Sequence, residues 1–339
     1  MSPRPPQLAL SAVFVLVWSS GYLVGTIGTR DGATLALVAW RFAVALAVLG
    51  TAALLTRTPW PRQPRTYLHL VVAGVLLQAV QLGAIYLGLG RGVPAGLASL
   101  IMSAAPLVIA AAAVPLFGER LRRRQWLGMG LGLAGVGVSL SSRLEGGPGY
   151  AGYGLTLLAL AGFAAGTLYQ KRFGTEVDLR AGITIQLAGA AAAAFPLAAL
   201  HGGLHLPLTA SSLGALAWLS VVNSIGSFAL LFTLLRRRSG GAATSLLYLV
   251  PPVTGLLAVP VLGQPASLAV FAGMAVSGVG VLLVNTAGPV TAAGGSAAGP
   301  GWTPRSRWWS GRTAGTGRGS PPDRRSTGRT ASAGSSPRR

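Results

Sequence analysis

The chain of 339 residues is 51% apolar, only 10% charged and free of cysteine, with a formal net charge of +21. Ordinary soluble proteins are about 25% charged, so the composition argues against a soluble globular protein, and the lack of cysteine excludes disulfides and thiolate metal sites. Nucleic acid is not an expected partner of this basic chain, because nine of its 27 basic residues lie after residue 287 and most others lie between apolar stretches.

Apolar stretches of roughly 20 residues, long enough to cross about 30 Å of hydrocarbon as a helix, dominate the first 287 residues. Ten transmembrane helices are predicted, at 8–28, 33–55, 67–89, 94–117, 125–141, 151–169, 181–200, 212–235, 241–262 and 266–285. The first lacks a small-residue cleavage site, which favours a retained helix over a removed signal peptide. The sequence therefore predicts an all-α polytopic membrane protein whose partner is the lipid bilayer.

Basic residues alternate from loop to loop along this predicted bundle. Thirteen lie in loops that would share one side of the membrane: Arg57, Arg62, Arg65, Arg120, Arg122, Arg123, Arg124, Lys171, Arg172, Arg180, Arg236, Arg237 and Arg238. The intervening loops hold only Arg30, Arg91 and Arg143. By the positive-inside rule, this bias predicts a cell-membrane protein with both termini in the cytoplasm.

An internal repeat links the two halves of the chain. A shift of 145 residues aligns 82–138 with 227–283 without a gap, and 15 of the 57 positions are identical, against about six expected by chance. Chance resemblance between two Ala/Gly/Leu-rich stretches is the alternative, but prolines and glycines keep one register across three predicted helices. Five helices separate each position from its mate, so the second copy enters the membrane from the opposite side, as in secondary transporters.

The predicted organisation is a first repeat at 1–145, a second repeat at 146–287, and a basic cytoplasmic tail at 288–339. The tail is rich in Gly, Ser, Pro, Thr and Arg, cannot bury a core, and is predicted to be disordered. At the predicted cytoplasmic end of the fourth helix, Glu119 stands beside Arg120, Arg122, Arg123 and Arg124. We interpret these residues as a topology signal and loop brace, with Glu119 in a local ion pair rather than a proton relay.

Three stretches carry a resemblance to a known family: "VWSSGYLVGT" (17–26), "LVAWRFAVALAVL" (37–49) and "SAAPLVIAAAAVPLFGERLRRRQWLGMGLGLAGVGV" (103–138). Over about residues 8–285 the chain resembles the ten-helix EamA branch of the drug/metabolite transporter superfamily. The resemblance implies two inverted five-helix repeats around a central cavity, and export of small metabolites or drugs by alternating access. The chain departs from the pattern in its second copy, where Gln264 and Pro265 replace the Glu-Arg pair.

Positions that are polar in both copies are predicted to face a shared interior, because a polar group in lipid needs a partner or a cavity. The pairs are Arg41 with Gln186, Gln78 with Asn223, Ser99 with Thr244, and Ser103 with Tyr248. Trp18, Tyr22 and Gln81 complete the predicted substrate-binding set. Pro106 and Pro251 share helical faces with these pairs and are predicted bending points. The alternative is that the polar side chains only hydrogen-bond neighbouring helices.

Arg41 is the only charge well inside a predicted helix, about 12 Å along the axis from its outer end. A central arginine costs on the order of 3 kcal/mol on insertion scales, so its presence needs a reason. One reason is binding of a substrate carboxylate or phosphate. The other is structural: snorkelling to the outer interface, or pairing with Asp31 or with helix-end carbonyls.

The predicted function is a secondary transporter that exports small metabolites, amino-acid-like or drug-like, without a cofactor or metal. No Asp or Glu lies inside a predicted helix, which predicts a facilitator or exchanger, or coupling through a group other than a buried acid. An intramembrane lipid-modifying enzyme is disfavoured, because the helices lack an acid pair, a cysteine and a histidine cluster. A passive channel or scramblase-like facilitator is the main alternative, and a homodimer stays open.

Overall fold

The computed structural model describes residues 5–141, 149–174, 177–227, 230, 233, 245–286 and 291–292. Within these residues, six helices are long and apolar enough to cross a membrane. Three shorter apolar helices are Ala210–Gly226, Leu246–Leu262 and Leu268–Val284. The chain is an all-α polytopic membrane protein built from two inverted five-helix repeats, as the sequence predicted.

The helices are numbered in chain order, five to each repeat. The first repeat contains α1 (Pro5–Gly28), α2 (Thr34–Leu55), α3 (Pro64–Gly90), α4 (Ala95–Phe117) and α5 (Arg123–Ser141). The second contains α6 (Gly149–Phe173), α7 (Leu179–Leu200), α8 (Ala210–Gly226), α9 (Leu246–Leu262) and α10 (Leu268–Thr286). Helix α3 begins three residues before its predicted start, because Pro64 is well suited to a first helical turn. The predicted tail after residue 292 lies outside the described residues.

The shift of 145 residues relates far more of the chain than the sequence alignment suggested. Both ends of α2 and α7, and both ends of α5 and α10, are exactly that shift apart in the helix bounds. The glycines that end α4 and α9, Gly118 and Gly263, are both left-handed, with φ of 66° and 67°. Glycine adopts this conformation without strain, which explains its recurrence at the two helix ends.

The longer α-helical pieces of α4 and α9 begin at equivalent residues, Ala105 and Val250. In α4, Ala104 separates the pieces Ala95–Ser103 and Ala105–Phe117. In α9, the 3₁₀ turn Ser245–Leu249 precedes the α-helical piece Val250–Leu262. Pro106 and Pro251 lie in the first turn of the second piece, where the missing N–H of proline costs no helical hydrogen bond.

One end of the bundle is tied together by contacts between the two repeats. It holds the connections 28–34, 90–95, 200–210 and 262–268, and we call it the outer end because the loop arginines predict that it faces outward. Asp31 accepts a hydrogen bond from the hydroxyl of Ser212 at 2.7 Å. The indole of Trp40 donates to the carbonyl of Leu204 at 3.0 Å. The side chain of Gln264 accepts from the first N–H of α4 at 3.1 Å.

At the opposite, inner end, Glu119 forms an ion pair with Lys171. The sequence predicted a local ion pair for Glu119, but the structure gives it a partner from α6 in the other repeat. Arg122, Arg123 and Arg124 are exposed, and the side chain of Arg120 lies outside the described residues. The backbone of 119–120 pairs with that of 291–292 as a two-residue antiparallel bridge. Residues 291–292, which follow α10, therefore lie at the inner end.

Helices α5 and α10 are repeat mates and pack against each other through their smallest residues. A Cβ added at Gly128 would lie 2.6 Å from the carbonyl oxygen of Gly280, and one at Gly135 would lie 2.5 Å from that of Gly273. The mate of Gly128 is Gly273 and the mate of Gly135 is Gly280, so the two contacts are equivalent. Such close backbone approach is what small residues permit between helices in lipid.

We expect Gly135→Ala to lower the free energy of unfolding by about 1–3 kcal/mol, since the added methyl group overpacks the α5–α10 contact. Gly137→Ala on the same helix is the matched control, because nothing lies within 4 Å of the Cβ it would add. Thermal unfolding of the two purified variants in detergent measures the difference. Equal melting temperatures would show that this helix pair does not depend on glycine.

Candidate functional site

Arg41 lies in α2 and is only 3% exposed. Its Nη1 donates to the hydroxyl of Tyr86 on α3, and its Nη2 donates to Oδ1 of Asn223 on α8 at 3.2 Å. The Oγ of Ser224 accepts from Nε at 3.3 Å and from Nη2 at 3.1 Å. We call these four residues the Arg41 cluster. It joins the first repeat, which supplies Arg41 and Tyr86, to the second, which supplies the amide and the serine.

Two structural interpretations of Arg41 are therefore wrong. The side chain does not snorkel to the outer interface, because it is buried and its guanidinium is held by α3 and α8. It also does not pair with Asp31, whose carboxylate instead accepts hydrogen bonds from Thr209 and Ser212 at the outer end. The guanidinium is solvated by neutral side chains from other helices.

The backbone of α8 is π-helical where it meets Arg41. The segment Trp218–Gly226 has π-helical hydrogen bonding and contains both Asn223 and Ser224. The Ser224 hydroxyl donates to the carbonyl of Leu219, five residues earlier, at 2.9 Å. A second π-helical segment, Val75–Val80 in α3, covers the equivalent residues of the first repeat and contains Gln78. Such segments inside α-helices frequently mark functional sites.

Two glycines of α1 make room for the Arg41 cluster. A Cβ at Gly21 would lie 2.7 Å from Nδ2 of Asn223, and one at Gly25 would lie 2.8 Å from Cδ1 of Tyr86. The amide of Asn223 also donates to the carbonyl of Val17 at 3.1 Å. The stretch "VWSSGYLVGT" thus carries a physical requirement, because only a helix without side chains at these two positions can approach the cluster so closely.

The cluster is not duplicated by the repeat. The mate of Arg41 is Gln186, which is 9% exposed, while Tyr86 and Ser224 correspond in sequence to Leu231 and Ala79. Gln78, the mate of Asn223, makes no side-chain hydrogen bond to another described residue. The charge of Arg41 and two of its three partners, Tyr86 and Ser224, therefore have no counterpart at the equivalent positions of the other repeat.

The other predicted site residues are not drawn into the cluster. The hydroxyls of Ser99 and Ser103 donate to carbonyls of their own helix, those of Gly96 at 2.8 Å and Leu100 at 2.6 Å. These bonds lie within one helix, so they differ from the bonds to neighbouring helices that the sequence left as the alternative. Gln81 is half-buried in α3, and Thr244 lies outside the described residues.

The predicted aromatic residues pack in apolar surroundings. The ring of Trp18 lies 5.4 Å from that of Phe14, beside a small buried cluster that α1 shares with the start of α9. Tyr22 and Tyr248 are partly buried against the main core. Of the predicted substrate-binding set, the structure brings together Arg41 and Asn223.

Tyr86 and Ser224 were missed by the sequence reasoning, for an identifiable reason. Most of the predicted site residues were positions that are polar in both copies of the repeat. The mates of Tyr86 and Ser224, Leu231 and Ala79, are apolar. A weaker signal was available, since Ser224 directly follows Asn223. No group of three or more His, Asp or Glu in the described part of the chain could hold a metal ion.

Comparison with known proteins agrees with this architecture. The profile of the EamA-like transporter family matches twice, over residues 7–141 and 150–286. The uncharacterized inner membrane transporter YedA of Escherichia coli K12 is 32% identical over 263 residues, which are 76% of this chain and 83% of that protein. A probable amino-acid metabolite efflux pump of Salmonella typhimurium is 30% identical over 51% of this chain and 55% of its own length.

A solved crystal structure of another protein supports the fold alone. It superposes with a TM-score of 0.58 at 22% sequence identity, over 84% of this chain and 98% of that one. The two profile matches correspond to the two repeats, and each begins and ends close to the helix bounds described above.

The asymmetry of the cluster predicts unequal effects of two equivalent substitutions. Asn223→Ala should lower the free energy of unfolding by about 1–3 kcal/mol, because it leaves the guanidinium and the Val17 carbonyl short of a partner. Gln78→Ala, at the equivalent position, should have a smaller effect because Gln78 makes no such bonds to described residues. Parallel thermal unfolding of the purified variants measures both, and a larger loss in Gln78→Ala would refute the assignment.

Proposed function

This chain belongs to the EamA-like transporter family, and from that premise we propose that it is a secondary transporter that exports small metabolites by alternating access. The substrates are polar or amphipathic and amino-acid-like or drug-like. One repeat rocks against the other, and the substrate occupies a cavity between them near the middle of the membrane.

The observation that carries this proposal is the Arg41 cluster. It is a buried polar network at the junction of two inverted repeats, and in transporters of this architecture the substrate site lies at such a junction. Polar and charged side chains inside a membrane usually serve a transported solute or ion. The name of the Salmonella relative, "Probable amino-acid metabolite efflux pump", supports small amino-acid-like cargo in the outward direction.

We place the protein in the cell membrane with both termini in the cytoplasm. The thirteen basic residues in alternate loops, against three in the others, support this orientation. The inner end then carries Glu119 and Lys171. The break in α4 at Ala104 and the 3₁₀ turn at the start of α9 supply bending points for the rocking motion.

Transport is proposed to run as facilitated diffusion or exchange. The described carboxylates lie at the ends of the bundle: Asp31 at the outer end, and Glu119 and Asp178 at the inner end. A buried acid is the usual relay in proton-coupled carriers, and none is described inside a helix. No cofactor or catalytic step enters the proposal.

Metabolite profiling of the medium from overexpressing and deleted cells should identify solutes whose release depends on the protein. The leading solute is then tested in proteoliposomes by counterflow, where we expect saturable uptake that is stimulated by the same solute trapped inside. Flux that rises linearly with concentration would instead indicate a channel. Uptake that requires an imposed pH gradient would overturn the facilitator or exchanger assignment.

The absence of native cysteine allows a direct test of the rocking motion. Asp31→Cys combined with Ser212→Cys places two thiols where the repeats touch at the outer end. Oxidation should cross-link them and abolish transport, and a reductant should restore it, because the outer end can no longer open. Thr209→Cys with Ser212→Cys is the matched control within one repeat. If the Asp31→Cys, Ser212→Cys protein transports normally when it is fully cross-linked, the outer end does not open during transport.

A further inference from the structure

The guanidinium of Arg41 carries a buried positive charge that no described carboxylate neutralises. Asp31 is engaged with Thr209 and Ser212, Glu119 with Lys171, and Asp178 with the backbone N–H of Arg180. The oxygens that accept from Arg41 belong to a phenol, an amide and a hydroxyl. A buried charge surrounded only by neutral dipoles is less well stabilised than one that also faces an anion.

Two nitrogens of the Arg41 guanidinium, Nε and Nη2, share one acceptor oxygen. Nε and Nη2 form the edge of a guanidinium whose parallel N–H groups match the two oxygens of a carboxylate. In this structure both nitrogens donate to the single oxygen of Ser224, at 3.3 Å and 3.1 Å. One neutral oxygen thus occupies the edge that is shaped for two charged ones.

The groups at this edge would keep other partners if they were displaced. The Ser224 hydroxyl donates its own hydrogen to the carbonyl of Leu219, and the amide of Asn223 donates to the carbonyl of Val17. Both bonds are independent of the guanidinium. Tyr86 meanwhile holds Nη1 on the far side, so the guanidinium would stay oriented while its other edge changed partner.

We infer that the transported solute carries a carboxylate, which replaces the Ser224 oxygen on the Nε/Nη2 edge of Arg41. This inference rests on the proposed transport function and names the class of its substrate. A carboxylate suits the site better than a phosphate monoester, because a single buried cation balances a single negative charge. Because Arg41 is 3% exposed, the carboxylate reaches it only when α8 moves away from α2. Substrate binding would thereby release the two hydrogen bonds from Arg41 to Ser224 that join the repeats.

The test compares acids with their neutral counterparts in a binding assay that does not require transport. The purified full-length protein in lipid nanodiscs is titrated with L-leucine, L-threonine and L-phenylalanine, and with the carboxamide of each. Binding is measured by ligand-induced thermal stabilisation and by calorimetry. For at least one pair, we expect the acid to bind about tenfold or more tightly than the amide, since charge-assisted bidentate bonds are lost in the amide.

Variants identify the group responsible for that preference. Arg41→Gln should bring the ratio of acid to amide affinity close to one. Arg41→Lys keeps the positive charge but loses the pair of parallel N–H groups, and should give an intermediate ratio. Ser224→Ala should bind the acid at least as tightly as the unaltered protein, because the competing oxygen is gone. Arg91→Gln, which removes an exposed arginine, is the matched control and should keep the full ratio.

Several outcomes would overturn the inference. Equal binding of acids and amides by the unaltered protein would do so, as would a ratio that survives Arg41→Gln in a variant that still binds the amide. If Arg41 served only to hold the structure together, Ser224→Ala and Arg41→Gln would both bind the acid more weakly than the unaltered protein. If the protein fails to transport, only the proposed function is contradicted, and the binding comparison can still be made. If the protein transports solutes but binds acids and amides equally, only this inference is contradicted.

Discussion

The guanidinium of Arg41 has to be solvated by protein, because the hydrocarbon around the bundle offers it no water. That requirement connects four helices. Helix α2 supplies the charge, α3 and α8 supply the oxygens that accept from it, and α1 approaches closely enough for Val17 to hold the amide of Asn223. The glycines at positions 21 and 25 follow from the same requirement, since side chains there would occupy the space of the cluster.

The inverted repeat provides a symmetric frame in which this chemistry is asymmetric. Helix ends, left-handed glycines and π-helical segments recur at a shift of about 145 residues. The frame is under backbone and packing constraints that both halves share, as the reciprocal glycine contacts of α5 and α10 illustrate. The polar interior does not need this symmetry. One buried charge is costly, and a second charge at the equivalent position would add to that cost and repel the first. A single arginine with a neutral glutamine at the equivalent position avoids the free-energy cost of burying a second charge.

The loss of charge in the second copy of the repeat has a related explanation. Glu119 and Gln264 are mates at opposite ends of the bundle, and both join one repeat to the other. Glu119 does so through an ion pair with Lys171 at the inner end, and Gln264 through a backbone N–H of α4 at the outer end. The position therefore joins the repeats at both ends of the bundle, through an ion pair where a basic partner is present and through a neutral hydrogen bond where the partner is a backbone N–H.

The sequence by itself determined the ten helices and the inverted repeat, and it singled out Arg41 and Asn223, which the structure brings together. Hydropathy, loop charge and a fixed register are local or periodic properties, so they can be read without coordinates. The tertiary structure alone decided which polar residues meet. Tyr86 and Ser224 reach Arg41 from helices that are distant in the chain, while Ser99 and Ser103 turn to their own backbone. Helix rotation and the π-helical segment of α8 set these directions, and both arise from packing across the bundle rather than from the order of residues along one helix.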